Sequence, residues 1–149
     1  MLKEAKEQKR IMQQENEEKK IYLQSYRIFK QKARRIEEQL SELRLDEMLP
    51  SLPVSDMPST HNHRDLSDYM VKYDKLYSQL IKARKDTIER FAEVSERIEL
   101  MENENEKTVL VYRYLRNYNW EKICVEMNYS WRQVHYIHGK ALEHFRMIA

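Results

Sequence analysis

The residues with the most distinctive chemistry lie in the last helical segment that the sequence predicts, residues 131–147. At about 100° per residue, its apolar side chains fall on one arc: Val134, Ile137, Ala141, Phe145 and Ile148. The opposite arc collects Arg132, His135, Tyr136, Gly139, Glu143 and Arg146. This second arc is aromatic, basic and hydrogen-bonding, and such a face suits the base edges in a DNA groove better than bare solvent.

The segments that precede this helix complete a helix-turn-helix arrangement. Three short apolar segments, 107–116, 120–127 and 130–148, are separated by brief polar turns, as in a compact helical unit. Ser130 followed by Gln133 forms a capping box that starts the last helix. In a helix-turn-helix the second helix enters the major groove and its N-terminal part contacts bases. The sequence therefore predicts that helix 131–147 recognises DNA and helix 120–127 supports it.

The predicted DNA contacts follow from residue type and position. Arg132 in the first turn is the candidate for a guanine contact, and Gln133 for an adenine or a phosphate. Gly139, the only glycine of the chain, lies mid-helix at a cost of about 1 kcal/mol relative to alanine, which is most readily tolerated where another molecule approaches the backbone. The full predicted set is Ser130, Trp131, Arg132, Gln133, His135, Tyr136, Gly139, Lys140, Arg113, Arg116 and Lys122.

The charge distribution favours the same segment. The chain as a whole has a net charge of +2. From Glu106 onward there are seven Lys and Arg residues and four Glu residues, a net charge of +3. Positive charge concentrated in one unit is what phosphate contact requires, although an excess this small predicts weak, salt-sensitive non-specific binding.

Other chemistry finds little support. His61-Asn62-His63 lies in a proline-containing connector and lacks the ββα context of the nuclease motif that it spells. His135, His138 and His144 have no Cys or carboxylate that completes a metal set, and His138 is expected to be a partly buried hydrogen-bonding residue. Nothing resembles a nucleophile–base pair, a phosphate-binding loop or paired catalytic carboxylates. We therefore predict a protein that is not an enzyme and that uses no cofactor and no metal.

Composition sets the fold class that positions these residues. The chain has 149 residues, one glycine, one cysteine and three prolines, which fall together at Pro50, Pro53 and Pro58. Almost everything outside that stretch can be helical without an obligatory break, so the expected fold is all-α. The single Cys124 forbids an internal disulfide and is expected to be a small buried apolar residue.

Two long helices are predicted ahead of the helix-turn-helix unit. Residues 1–20 form a charged extension that cannot bury a face alone. The first stripe repeats at spacings of four and three, as in a helix that packs on another helix: Tyr22, Tyr26, Phe29, Ala33, Ile36, Leu40 and Leu43. After a connector at 46–64, a second stripe is Leu66, Met70, Tyr73, Tyr77, Leu80, Ile88, Phe91, Val94 and Ile98, with a register shift at Arg84.

The predicted domains are therefore 1–20, 21–102 and 103–149. The glutamate-rich end of the second helix, with Asn103 and Asn105 as cap or turn residues, precedes the last of them. The two long helices are assigned to self-association or partner binding, through Tyr22, Tyr26, Phe29, Ile36, Leu40 and Leu43. The sequence does not decide whether they fold back as a hairpin or pair with a second chain, and a homodimer is one expectation.

The C-terminal segment also resembles a known family. Residues 108–142 are similar to region 4 of sigma-70 factors, and more closely to a phage- and prophage-encoded family related to RinA-type and ArpU-type late-gene activators. The matching positions are Trp120, Glu121, Ile123, Tyr129, Ser130, Gln133, Val134, Ile137, His138, Ala141 and Leu142. Upstream, Asp56-Met57-Pro58 and the hexapeptide from Arg64 to Tyr69 also resemble that family.

The resemblance implies sequence-specific DNA binding, a transcriptional role and contact with RNA polymerase. Asn117 and Asn128 replace glycines that are frequent in sigma-like modules, but asparagine tolerates the left-handed conformation, and Cys124 replaces a small alanine. The sigma regions that bind the −10 element and melt DNA are not recognisable, so a complete sigma factor is not expected.

The sequence thus predicts a DNA-binding transcriptional regulator of phage or prophage late genes. Its predicted partner is double-stranded DNA. One alternative is a DNA-packaging protein similar to a small terminase, which would assemble into a ring. Another is an RNA polymerase-binding module with little DNA affinity. Because no apolar run approaches the roughly 18 residues of a membrane span and the N-terminus lacks the apolar core of a signal peptide, we predict a location in the bacterial host cytoplasm, away from the membrane.

Overall fold

The computed structural model describes residues 1–48 and 63–148, and these residues form helices without strands. Helix α1 spans Leu2–Met48 and α2 spans His63–Glu99. Helix α3, Glu104–Leu110, continues into a π-helical turn, Val111–Leu115. Two further helices follow, α4 at Trp120–Met127 and α5 at Trp131–His144. The prediction of an all-α fold is confirmed.

Several features of the predicted connector at 46–64 lie outside the described residues. These are the three prolines, the tripeptide Asp56-Met57-Pro58 and the pair His61-Asn62. Within the described part of the chain, none of the helices has the length and apolar content needed to cross a bilayer.

The chain divides into two compact units, and each contains part of α1 and part of α2. The first unit comprises Met1–Ile28 and Ile88–Ala149, and the second comprises Phe29–Thr87. This division runs through the long helices near residues 28 and 88, whereas the predicted domains divide the chain at residues 20 and 102.

In the second unit, the first apolar stripe packs within the chain. Ala33, Ile36 and Leu40 of α1 form one buried cluster with Leu80 and Ala83 of α2. Two polar contacts run beside this cluster: Arg44 donates to the Tyr73 hydroxyl, and Arg84 lies 3.1 Å from Glu37. Because residue numbers rise on one helix as they fall on the other, the two segments are antiparallel. Of the two arrangements left open by the sequence, the hairpin is the one observed.

The predicted stripe of α2 is wrong at several positions. Leu66, Met70, Tyr77 and Ile88 are exposed, whereas the buried residues are Leu80 and Ala83, with Tyr73 and Leu76 packed against them. The sequence offered two apolar stripes on neighbouring faces of α2, and periodicity alone does not show which one α1 covers. No register shift is needed at Arg84, because this residue lies beside the covered stripe and not on it.

The first unit has a separate core at its helical crossings. Leu23 of α1 and Val94 and Ile98 of α2 are fully buried there. The short helices add Met101, Leu110, Tyr114, Ala141, Leu142 and Phe145. Tyr22 of the predicted stripe packs against this core, and its hydroxyl donates to Glu93 at 2.8 Å. The Tyr26 ring centroid lies 5.1 Å from that of Phe91.

The N-terminal segment is helical, and most of it buries nothing. Residues 1–15 are exposed, as predicted for a charged extension. Near its end, however, Lys19 is half-buried and its Nζ donates to the Leu142 carbonyl at 2.7 Å and to the Glu143 carbonyl at 3.3 Å. These carbonyls belong to the last turn of α5, where helical acceptors lack intrahelical partners. Lys19 therefore caps α5 from the other end of the chain.

Helix α5 ends earlier than predicted. Phe145 leaves the helix with φ −68° and ψ 137°, and its ring is fully buried beside Tyr22, with ring centroids 6.0 Å apart. Ile148 is consequently exposed rather than part of the core. Burial of the Phe145 ring and the Lys19 cap both favour a helix end at His144 over continuation to 147.

Candidate nucleic-acid interface

Two asparagines in the left-handed region shape the turns around α4. Asn117, after the π-helical turn, has φ 56°, and Asn128, the C-cap of α4, has φ 55°. Asn119 caps the N-terminus, since its side chain accepts from the Lys122 N–H at 2.8 Å. At the other end, the Tyr129 N–H donates to the Cys124 carbonyl at 3.2 Å. The expectation that Asn117 and Asn128 supply left-handed backbone is confirmed.

The start of α5 is fixed by the predicted capping box. The Ser130 side chain accepts from the Gln133 N–H at 3.2 Å, and the Ser130 N–H donates to Gln133 Oε1 at 3.4 Å. Gln133 is exposed, but its amide oxygen already serves the cap. A bidentate contact to adenine needs both the oxygen and the nitrogen of this amide, so the cap competes with the adenine contact predicted for Gln133.

Helices α4 and α5 are held together by apolar contact and a short turn. Ile123 of α4 and Val134 of α5 are both fully buried, and only Asn128, Tyr129 and Ser130 separate the two helices. Cys124 is half-buried, so it is less enclosed than predicted. Two short helices thus follow one another across a three-residue turn, and the N-terminal part of α5 lies at the surface.

The exposed side of the first two turns of α5 is a surface that we call the α5 outer face. It consists of Trp131, Arg132, Gln133 and Tyr136, all exposed. Trp131 retains 54% and Tyr136 67% of their accessible area, which is unusual for side chains of this size. Arg132 makes no ion pair with any residue that the structure describes. The face therefore offers aromatic surface and one unengaged guanidinium.

Gly139 follows along α5 and is half-buried. A Cβ built at this position meets no atom within 4 Å, so packing inside the chain does not require glycine here. Lys140, the next predicted contact residue, is also half-buried and pairs with Glu143 at 3.2 Å.

His135 does not face outward as the sequence predicted. Its ring lies between two indoles, with centroids 4.4 Å from Trp120 and 4.5 Å from Trp131. Its Nε2 is buried and has no hydrogen-bond partner among the described residues. Because both sides of its ring are in contact with indoles, we infer that His135 holds the Trp131 side chain in position and does not itself contact a ligand.

His138 is buried and hydrogen-bonded, as predicted. Its Nε2 lies 2.8 Å from the Tyr114 hydroxyl. Burial lowers the pKa of His138 to about 4, with nearby Lys20, His135 and Arg113 adding to the effect. Burial also raises the pKa of Tyr114 to about 12. A neutral imidazole therefore accepts the hydrogen bond from a protonated phenol.

The predicted cationic residues divide into engaged and available groups. Arg113 is half-buried, donates to the Tyr118 carbonyl at 3.2 Å and lies 4.5 Å from the Trp120 ring centroid, so it stabilises the turn before α4. Arg116 and Lys122 are exposed and lie over tyrosine rings, Tyr112 and Tyr118 respectively. Such contacts leave a charged head free to meet a phosphate.

Among the described residues, no group of three His, Cys, Asp or Glu side chains is arranged to hold a metal ion. His144 instead bonds to Glu106 across the unit, with Nδ1 2.9 and 3.0 Å from the two carboxylate oxygens. Glu106 is buried despite its charge, so this contact satisfies a carboxylate beside the end of α5.

Sequence reasoning missed three residues that position α5: Lys19, Glu106 and Tyr114. No local pattern identifies Lys19, which is 123 positions from its acceptor. A signal existed for Tyr114, because its position in the segment 107–116 places it on the apolar side. Glu106 follows the glutamate-rich end of the second helix, where composition does not distinguish a buried carboxylate from exposed ones.

Comparison with known proteins gives no relative for this chain: no protein-family model matches it, and no curated protein or solved structure matches it significantly.

Proposed function

We propose that this protein binds double-stranded DNA sequence-specifically through the α5 outer face and acts as a transcriptional regulator. The observation that carries the proposal is the exposed N-terminal part of α5, where Trp131 and Arg132 in the first turn and Tyr136 in the second project from a helix that α4 and a capping box hold in place. In a helix-turn-helix, the N-terminal part of the second helix contacts base edges.

Burial of apolar area and new hydrogen bonds would both favour binding of a ligand to the α5 outer face. Trp131 and Tyr136 both leave apolar area in water, which a ligand on this face would cover. Arg132 can donate two hydrogen bonds to guanine O6 and N7, and the aromatic rings can contact thymine methyl groups. A partner that provides both kinds of group in one groove is duplex DNA.

The surrounding charge supplies the phosphate contacts. Arg116 just before α4 and Lys122 within α4 are both exposed. In a helix-turn-helix, α4 would be the helix that crosses the DNA backbone. Because Arg113 and Lys140 are engaged within the chain, fewer cations are available than the sequence suggested. We therefore expect a shallow salt dependence and an affinity that rests largely on base contacts.

The transcriptional role rests on the resemblance to sigma-70 region 4 and to phage late-gene activators. The residues common to that pattern have structural positions consistent with it: Ile123, Val134 and Ala141 are fully buried, and Ser130 and Gln133 form the cap. A late-gene role and polymerase contact are part of the same proposal.

The test compares single variants on one DNA fragment. Fragments are selected from sheared genomic DNA of the source with the full chain, and the enriched fragment is titrated by fluorescence anisotropy. Arg132→Ala is expected to weaken binding by about 1–3 kcal/mol if it contacts a guanine, and Tyr136→Ala is also expected to weaken it. Arg34→Ala, at an exposed position of α1 in the other unit, is the matched control and should bind as the wild type does.

Equal affinities for Arg132→Ala, Tyr136→Ala and the control would refute the α5 outer face as the DNA-binding surface. The position of the enriched fragment separates the biological roles. A site before a late operon supports the activator, and a site at a packaging locus supports a protein similar to a small terminase. If no fragment is enriched and RNA polymerase retains the Arg132→Ala/Tyr136→Ala double variant, the protein-interaction alternative is supported.

A further inference from the structure

The second unit has a line of exposed side chains on α2 that α1 does not cover. Asp74, Tyr77, Ile81 and Arg84 follow one another at spacings of three, four and three residues. Tyr77 retains 47% and Ile81 51% of their accessible area, and Asp74 is exposed. The Arg84 side chain is 55% exposed although it reaches Glu37. We call these four residues the α2 outer stripe.

The spacing of the α2 outer stripe is that of a helix-pairing seam. Alternation of three and four residues keeps side chains on one face of a helix against a partner helix. Helix α2 already uses one such seam, Leu76, Leu80 and Ala83, against α1. A second seam lies on a neighbouring face. Tyr77 at its centre stacks on Tyr73 of the same helix, with ring centroids 6.0 Å apart, yet about half of the accessible area of Tyr77 and of Ile81 stays exposed.

The order of residues in the stripe is symmetric about its midpoint, residue 79. Tyr77 and Ile81 lie two positions on either side of it, and Asp74 and Arg84 lie five positions on either side. If a second α2 lies antiparallel across this face, Asp74 of each copy faces Arg84 of the other, and Tyr77 faces Ile81. The stripe is thus complementary to itself in both charge and apolar character.

We propose that the α2 outer stripe is the interface of a homodimer, with two copies of α2 antiparallel about a two-fold axis near residue 79. A two-fold interface brings residue i to residue j and residue j to residue i, which is the relation between Asp74 and Arg84. Two identical carboxylate–guanidinium pairs then flank two Tyr77–Ile81 contacts. Ser78, beside the axis, is small and exposed and allows close approach of the helices.

Charge explains why the occupant is a second copy. A parallel arrangement in register would place Asp74 against Asp74 and Arg84 against Arg84, which is repulsive. An antiparallel arrangement offset by one heptad would leave the charges unpaired.

The ion pair between Arg84 and Glu37 does not compete strongly with this contact. Both of its side chains are exposed, and an exposed ion pair contributes little to stability, so Arg84 can pair with Asp74 of the partner. Four contact layers are fewer than a standard interface of roughly 800 Å² per partner contains, so the dimer is expected to be weak and to depend on concentration.

Sedimentation equilibrium of the full chain over the micromolar range tests the proposal. The wild type should show a monomer–dimer equilibrium. Asp74→Arg and Arg84→Asp should each weaken the dimer by at least about tenfold, because each places like charges opposite one another twice. Asp68→Arg makes the same charge change as Asp74→Arg at an exposed position off the stripe, and it should leave the equilibrium unchanged.

Mixing the two single variants provides the decisive comparison. In an equimolar mixture of Asp74→Arg with Arg84→Asp, opposite charges again meet at both ends, so a heterodimer should form with near wild-type affinity. The double variant Asp74→Arg/Arg84→Asp should dimerise with itself. A monomeric wild type, an Asp74→Arg variant that dimerises like Asp68→Arg, or a mixture without heterodimer would overturn the proposal. Circular dichroism confirms that each variant is folded, and none of these results depends on DNA binding.

Discussion

The Tyr114 hydroxyl lies 2.8 Å from Nε2 of His138, and both side chains are buried between the π-helical turn and α5. The pair joins the segment before α4 to the middle of α5 and so fixes the candidate DNA-binding helix against its support. Because the neutral imidazole acts as the acceptor, protonation of Nε2 removes the acceptor for the phenol proton and places a positive charge in a buried site.

The first prediction is that this pair makes folding stability fall in mild acid. The pKa of His138 is lowered from 6.5 to about 4 in the folded protein, so between these values the unfolded chain binds more protons. The contribution of this group is fully present above pH 6.5, declines as pH falls toward 4, and amounts to about 3 kcal/mol. Urea unfolding of the wild type and His138→Gln at several pH values measures it, and parallel pH profiles of the two proteins would exclude this role for His138.

Loss of the other partner gives a second prediction. Tyr114→Phe removes the hydroxyl and leaves His138 Nε2 buried without a donor. The free energy of unfolding at pH 8 should fall by about 1–3 kcal/mol, the cost of an unsatisfied buried polar group. Tyr112→Phe is the matched control, because Tyr112 is half-buried and its hydroxyl makes no hydrogen bond with the described residues. A loss no larger than that of the control would show that the bond contributes nothing to stability.

Several features of the C-terminal helices were predictable because they depend on neighbouring residues. The Ser130–Gln133 cap and the left-handed Asn117 and Asn128 follow from local backbone chemistry. The positions of α4 and α5 and the short connection between them followed from the polar turns between apolar segments. The burial of His138 was predictable because it lies beside the apolar arc of α5.

Features set by distant parts of the chain were not predictable. Helix α2 offers two apolar stripes, and only the packing of α1 determines which is buried. His135 has the spacing of an outward-facing residue, but Trp120 and Trp131 enclose its ring. The cap from Lys19 and the early end of α5 at Phe145 likewise depend on contacts made across more than a hundred positions.

A third prediction concerns the turn between α4 and α5. Asn128 has φ 55° and ψ 44°, which is the left-handed region. A residue with a Cβ costs about 1–2 kcal/mol in this region, Asn and Asp cost less, and Gly, which has no Cβ, adopts it freely. Asn128→Ala should therefore destabilise the protein by about 1 kcal/mol, and Asn128→Gly should be near neutral. Thermal and urea unfolding measure both changes. Equal losses in the two variants would indicate that the asparagine side chain, not the backbone conformation, is what matters.

Gly139 gives a fourth prediction, in which stability and binding change in opposite directions. Since a Cβ at this position meets no atom within 4 Å, Gly139→Ala should raise the free energy of unfolding by up to about 1 kcal/mol through helix propensity. If DNA approaches the backbone here, the same variant binds the selected fragment more weakly. A stabilised variant with unchanged DNA affinity would show that the position merely tolerates glycine.

The cap from α1 to α5 yields a fifth prediction. Lys19→Met keeps the aliphatic stem but removes the ammonium that bonds to the Leu142 carbonyl. Stability should fall by about 1–2 kcal/mol, because a charged donor is lost at a helix C-terminus. Lys9→Met, at an exposed position of the same helix, is the control. Equal stability of the two variants would contradict a capping role for Lys19.

The central claim is sequence-specific DNA binding, and the ratio of two dissociation constants tests it most directly. The full chain is titrated by anisotropy against the selected fragment and against a scrambled fragment of the same length and composition, at two salt concentrations. We expect the selected fragment to bind at least about a thousandfold more tightly, the scale of a sequence-specific regulator. Equal, weak and salt-sensitive binding to both fragments would contradict the claim.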